Sequence, residues 1–212
     1  MAAAELLERN VTKSGLLSKQ QMPETIPLVD VIRVLNQAKV SFVLMGAHGL
    51  ANWQEKRKAP ARVEVIVPSR QFERTAQVLV TAFEGFEVVG LPIWMCVRKR
   101  KTHEELVRVL KPRQQPYREI LKHTRRVFVG NEPVRIPSLE MAVAMIFESM
   151  ISIYRRDADK LLDADDFKCL VRQNPSLNKD KLAKLASLIY PKGDRGVLKY
   201  VRQSRAGETL IV

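Results

Sequence analysis

The chain predicts an α+β fold: a mixed sheet with flanking helices over residues 25–137, then a helical region over 138–212. Two observations carry this. Short β-branched runs such as Val40-Ser41-Phe42-Val43-Leu44-Met45 and Arg62-Val63-Glu64-Val65-Ile66-Val67 alternate with helix-period segments in the first half. From Ser138 onward the strand pattern ceases, and apolar residues recur at helical spacing, broken only at Asn174-Pro175 and Pro191-Lys192-Gly193. A length of 212 residues with 46% hydrophobic content suits one unit, or one unit with a helical appendage, and is too apolar for a disordered polyelectrolyte.

Taken in order, residues 1–24 lack a sustained apolar period and read as a short helix or a loose arm, their end punctuated by Pro23 and Pro27. Leu28, Val29, Ile32, Val34 and Leu35 fall largely on one helical face, and the strand 40–45 stops at Gly46. His48–Gln54 reads as the first turns of a helix. Arg62–Val67 is a strand ended by Pro68, and Ser69 caps a helix through Phe83. Phe86–Val89, Ile93–Val97 and Leu106–Leu110 are strands, with Arg98–Lys101 as a turn. Tyr117–Arg125 reads as a helix. Val127–Val129 and Val134–Ile136 make a hairpin with a four-residue connection. Helices follow over 138–154, 158–173, 178–190 and 194–203.

The formal charge is +13, and it is uneven. Between Arg98 and Arg126 stand eleven Lys or Arg against Glu104, Glu105 and Glu119, so this segment carries +8. Such density favours polyanions: a nucleotide, RNA or an acidic partner protein, with Arg98, Lys99, Arg100, Lys101, Lys111 and Arg113 as the nucleic-acid candidates. The competing interpretation is a solvated surface that serves solubility.

No apolar run reaches the roughly 18 residues of a membrane span, and Glu5, Glu8 and Arg9 interrupt any export signal, so the expected location is cytoplasmic, away from membranes. Cys96 and Cys169 then read as reduced thiols, and three dispersed histidines exclude a zinc finger.

Three features form the candidate site. Gly46-Ala47-His48-Gly49 is a small-residue turn at a helix start, able to leave backbone N–H groups free for a phosphate. Lys56-Arg57-Lys58-Ala59-Pro60 leads into a strand where Arg62 and Glu64, two apart, emerge on one face. Arg108 lies on a later strand that can stand beside them. The nucleotide- or anion-binding set is Gly46, Ala47, His48, Lys58, Arg62 and Arg108, with Glu64 the acid beside them.

This order resembles the nucleotidyltransferase fold, in particular the minimal and AbiEii-like nucleotidyltransferases of toxin–antitoxin systems. The resembling segments are Phe42–Ala51, Lys58–Val67, Val134-Arg135-Ile136-Pro137-Ser138-Leu139-Glu140 and Asp163-Ala164-Asp165-Asp166-Phe167-Lys168-Cys169-Leu170, spanning roughly two-thirds of the chain. The resemblance implies two divalent ions on three carboxylates, about 4 Å apart, that activate a hydroxyl and neutralise pyrophosphate. At those positions this chain has Arg62, Glu64 and Arg108, so the resemblance implies that Glu64 is the single retained acid in a catalytic position. The expectation is therefore a pseudoenzyme: fold kept, no metal or other cofactor held, and the two guanidiniums forming either an anion site or an internal Arg–Glu–Arg network. The alternatives are an active magnesium-dependent transferase with acids at Glu87, Glu104 or Glu105, and a stand-alone RNA-binding module.

Other residues read as structural. Trp53 and Trp94 are core anchors, and Met141, Met145 and Met150 fill one helix face. His103 and His123 face solvent. Asp157, Asp159, Asp163, Asp165 and Asp166 form a charged helix face, because a calcium loop's Gly turn and terminal Glu are missing.

Overall fold

The computed structural model describes residues 26–55 and 62–211. The arm at 1–24 and the basic loop with Lys58 lie outside the described residues. Helix α1 (Leu28–Gln37) precedes strand β1 (Val43–Leu44) and a one-turn helix α2 (Gly46–Leu50). Next come β2 (Val63–Ile66), a 3₁₀ turn at Ser69–Gln71, and α3 (Phe72–Ala82). Strands β3 (Phe86–Leu91), β4 (Trp94–Lys99) and β5 (Glu105–Leu110) complete a five-stranded mixed sheet in the order β1-β2-β5-β4-β3. Among the described strands of this sheet, only the β2–β5 pair is parallel.

A separate hairpin, β6 (Thr124–Val129) and β7 (Glu132–Pro137), links the sheet to helices α4 (Leu139–Ile151), α5 (Asp157–Gln173), α6 (Lys179–Ala186) and α7 (Gly193–Ala206). The fold is thus α+β, with a mixed sheet, flanking helices and a helical C-terminal region.

The sheet's two faces divide the core. Val63, Val65, Val107, Val109 and Val97 point to one side, where they pack with Ile32 and Leu35 of α1 and Phe72 and Leu79 of α3. Val43 and Ile66 join the opposite core, built on Met141, Phe147, Phe167, Leu182 and Val201 of the C-terminal helices. Period-2 alternation of β2 is what lets one short strand serve both cores. Ser138 caps α4 by accepting from the Met141 N–H at 3.3 Å, as the sequence predicts.

Several expectations need correction. The segment 117–125 is not a helix: a 3₁₀ turn covers Tyr117–Glu119, and Thr124 already begins β6. Val134 and Ile136 on β7 are buried, and their backbone needs a pairing strand, which the charged, Thr-led segment 124–129 supplies. The hairpin connection is two residues, with Gly130 at φ +57°, where four were expected. β4 runs through Lys99, so Arg98 and Lys99 are strand residues and not turn residues. Ser69 makes no side-chain cap; it opens a 3₁₀ turn, and α3 starts at Phe72. Helix α2 stops at Leu50, and only Val43 and Leu44 of the 40–45 run pair in the sheet. His123 is half-buried where an exposed ring was expected.

Candidate functional site

The Gly46 turn is built by close approach. Gly46 adopts φ +59°, and a β-carbon there would sit 2.8 Å from Glu64 Oε2, so the carboxylate of β2 rests directly against the turn. Gly49 faces an even tighter constraint: its missing β-carbon would lie 2.4 Å from the Leu44 carbonyl. The small residues at 46–49 therefore let α2 start against the ends of β1 and β2.

Glu64 and Arg108 are register partners across the parallel β2–β5 pair, and Cys96 stands next to Arg108 on β4. Arg62, just before β2, sends Nε and Nη2 to Glu64 Oε1 at 3.1 and 2.6 Å and Nη1 to Glu105 Oε2 at 3.0 Å. Arg108 Nη2 donates to the same Glu105 oxygen at 2.5 Å, and its guanidinium lies over the Trp94 ring at 5.3 Å. The structure brings Arg62, Glu64 and Arg108 together. Glu105, foreseen only as one acid of the active-transferase alternative, completes the cluster.

Burial alone would raise the Glu105 pKa, but the Arg108 hydrogen bond, reinforced by the charges of Arg108 and Arg62, holds it below the ordinary value. The Cys96 thiol moves the other way, pushed up first by burial and then by the Glu105 charge. Arg108 Nε is buried without a hydrogen-bond partner among the described residues.

This cluster forms one wall of a cavity of about 620 Å³ between the sheet and the C-terminal helices. Gly46, Ala47, Arg62, Glu64 and Arg108 line the sheet side. Tyr117, Arg155, Asp163 and Asp166 line the other. Asp163 and Asp166 are three apart on α5, a spacing that puts both on one helical face. Arg155 grips Asp163 with two bonds, at 2.7 and 3.0 Å. Tyr117 donates to Glu148 Oε2 at 3.5 Å, and Gln114 reaches Oε1 at 3.1 Å. Burial raises the pKa of both Tyr117 and Glu148. Tyr117 and Arg155 carried no sequence signal, since their positions follow from how the helices dock. His48 sits half-buried on α2 and is not among the cavity-lining residues.

The basic segment is less open than its composition suggests. Arg98 pairs with Glu87 at 2.7 Å and Lys99 with Glu104 at 2.8 Å. Arg100 donates to the Phe86 carbonyl, and Lys111 lies over the Phe72 ring at 4.3 Å. Lys101 and Arg113 are exposed. Both tryptophans are half-buried: Trp53 donates to the Pro137 carbonyl at 2.9 Å under the Arg125 guanidinium, and Trp94 packs under Arg108. Cys96 and Cys169 form no disulfide with each other. No helix among the described residues is long and apolar enough to cross a membrane.

A mixed five-stranded sheet with a glycine turn after its edge strand, a helical region behind it and a cavity between them defines a nucleotidyltransferase-like fold. Solved structures agree. The chain is similar to an antigenic nucleotidyltransferase-like protein from Paracoccidioides brasiliensis, with a TM-score of 0.56 and 15% identity over 84% of this chain and 86% of that one. It is also similar to ANT(2")-Ia in complex with adenylyl-2"-tobramycin, with a TM-score of 0.52 and 11% identity over 81% of this chain and 95% of that one. The solution structure of the antibiotic-resistance factor ANT(2")-Ia gives 0.53 and 11% over 83% and 95%. Likeness at these identities establishes the fold. No protein-family model matches the chain, and no curated protein sequence does.

Proposed function

We propose that this chain keeps the nucleotidyltransferase scaffold without its metal-dependent chemistry and binds a nucleotide in the cavity beside Gly46. The observation that carries the proposal is the cross-strand Glu64–Arg108 pair with Arg62 next to it. A two-ion site needs a cluster of acids, and here two guanidiniums stand among the carboxylates. One guanidinium about 4 Å from a divalent ion is unfavourable by roughly 8 kcal/mol at an effective dielectric constant of about 20. Both nearby acids, Glu64 and Glu105, are already held by arginine. Among the described residues, no three His, Cys, Asp or Glu side chains are grouped to hold a metal ion. The residues present do not fit the ion pair that the fold implies, and the reading uses no metal.

Arg108 is the anion-binding candidate. Arg62 spends all three of its nitrogens on Glu64 and Glu105, whereas Arg108 gives Glu105 a single bond and keeps donors for a ligand phosphate. The small-residue turn at Gly46 and Ala47 lies on the same wall. On this reading RNA or a partner protein engages the basic exterior, and the cavity serves recognition.

Calorimetry with nucleoside mono- and triphosphates, in EDTA and in Mg²⁺, tests the reading. We expect metal-independent binding, weakened at least tenfold by Arg108→Ala. The specific rival is an active transferase built on Glu64 and Glu105, which both bond Arg62. Transfer of labelled nucleotide to RNA or protein in Mn²⁺ or Mg²⁺, abolished by Glu64→Ala, would establish the rival and remove the proposal.

A further inference from the structure

The β6–β7 hairpin carries an arrangement that the cavity does not explain. Arg126 and Arg135 are direct cross-strand partners, on the face opposite buried Val134 and Ile136. Like charges placed opposite each other on adjacent strands repel. Several other guanidiniums are answered by acids: Arg62 by Glu64, Arg98 by Glu87, Arg155 by Asp163. Here the nearest carboxylate on the hairpin, Glu132, lies on the other face and is taken by Arg33 at 3.3 Å and Asn36 at 3.0 Å. Arg135 donates instead to the Ser41 hydroxyl.

The surroundings add positive charge and one aromatic ring. Arg126 and Arg135 line a groove of about 270 Å³ between the hairpin and the segment that leaves α1. Lys39 is exposed in that segment, between the lining residues Asn36 and Val40. Arg74 reaches the same segment and donates to the Ala38 carbonyl at 3.0 Å. Phe128, two residues from Arg126 and therefore on the same hairpin face, is 68% exposed.

We propose that this face binds single-stranded nucleic acid, with Arg126 and Arg135 on the phosphodiester backbone and Phe128 stacking on a base. An anion between the two arginines removes their mutual repulsion. An exposed phenyl ring two residues from a phosphate-binding guanidinium gives the stacking platform that such grooves combine with charge. A duplex hides its base faces, so the ring selects the single strand. The surface lies outside the cavity, and its occupancy does not depend on a nucleotide bound there.

The test is fluorescence anisotropy with labelled 15-nucleotide oligouridine, oligothymidine and a 15-base-pair duplex, titrated with the full chain across a salt series. We expect both single strands to bind more tightly than the duplex. Phe128→Ala should weaken single-strand binding at least fivefold. Replacing Arg126 and Arg135 by alanine should weaken it at least tenfold and reduce the salt slope by about 1.4, two phosphate contacts at roughly 0.7 each. Arg126→Ala alone removes no side-chain hydrogen bond to the described residues and guards against a folding defect from losing the Arg135–Ser41 bond. Single-strand affinity unchanged by Phe128→Ala and Arg126→Ala, but lost when Arg98, Lys99, Arg100 and Lys101 are neutralised, overturns the proposal. So does duplex binding as tight as single-strand binding, or no binding to either strand.

Discussion

Glu105 and Arg108 stand three residues apart on β5, yet both side chains reach the same face of the sheet and meet through one carboxylate oxygen. A flat strand forbids this, because an odd separation sends side chains to opposite faces. The register resolves it: Val97 pairs with Val107 while Arg98 pairs with Glu105, so Leu106 is an extra residue. The bulge buries Leu106 and Val107 together in the core shared with α1 and α3, and it turns Glu105 back toward Arg62 and Arg108.

The first prediction concerns acid stability. The folded-state pKa of Glu105 is held below 4.5, so the ionised carboxylate contributes stability that is complete above about that pH. That contribution fades as pH falls through the lowered value. Thermal unfolding from pH 7 down to pH 3 should show an acid-limb loss that Glu105→Gln reduces. Parallel curves for the two proteins would contradict the arrangement.

What was legible in the sequence, and what was not, follows from such parities. Arg62 and Glu64 are two apart on an uninterrupted strand, so their shared face could be read directly. Arg108 came into register because β2 and β5 pair without a bulge. Glu105 could not be placed, since nothing local announces that Leu106 bulges. The turn at Gly46 was visible from its small residues, but the Glu64 carboxylate packed against it belongs to the tertiary fold. Residues 117–125 misled because Arg, Glu and Lys at near-helical spacing mimic a helix, while the strand that begins at Thr124 answers a demand from β7. Arg155 meets Asp163 only because of how the chain turns from α4 into α5.

A second prediction separates two glycines. Gly46→Ala must accept φ +59° and push the far end of a flexible Glu64 side chain, a cost of about 1–2 kcal/mol. Gly49→Ala drives its β-carbon to 2.4 Å from a backbone carbonyl, which cannot rotate away, and should cost about 1–3 kcal/mol or more. Urea unfolding should rank Gly49→Ala below Gly46→Ala. The reverse order would mean that α2 shifts freely.

A third prediction addresses the helical core. Phe147 is fully buried on α4, with ring centroids at 6.4 Å from Phe167, 6.1 Å from Tyr190 and 5.9 Å from Tyr200. Its truncation to alanine empties the point where α4, α5 and α7 converge, and should cost about 3–5 kcal/mol. Phe147→Leu should recover more than half of that loss, as read by chemical denaturation.

The last prediction turns on Glu148, whose chemistry runs opposite to that of Glu105. Burial pushes its pKa up and the Asp163 charge adds to this, against the Tyr117 hydrogen bond and the Arg155 charge that pull it down. A carboxyl whose folded-state pKa is raised favours folding in its protonated form; that advantage is whole below the unfolded value and disappears as pH climbs through the folded one. Ionising Glu148 therefore works against the fold, although Gln114 and Tyr117 both donate to the carboxylate. Glu148→Gln removes the charge and keeps one acceptor oxygen for Gln114, while its amide NH2 faces the Tyr117 hydroxyl, which can turn to accept. Its melting temperature should exceed that of the parent protein at pH 7, and the difference should shrink toward zero below about pH 4.5. An unchanged or lower melting temperature at pH 7 would instead show that the ionised carboxylate, drawn toward Arg155, helps to hold α4 against the Tyr117 turn.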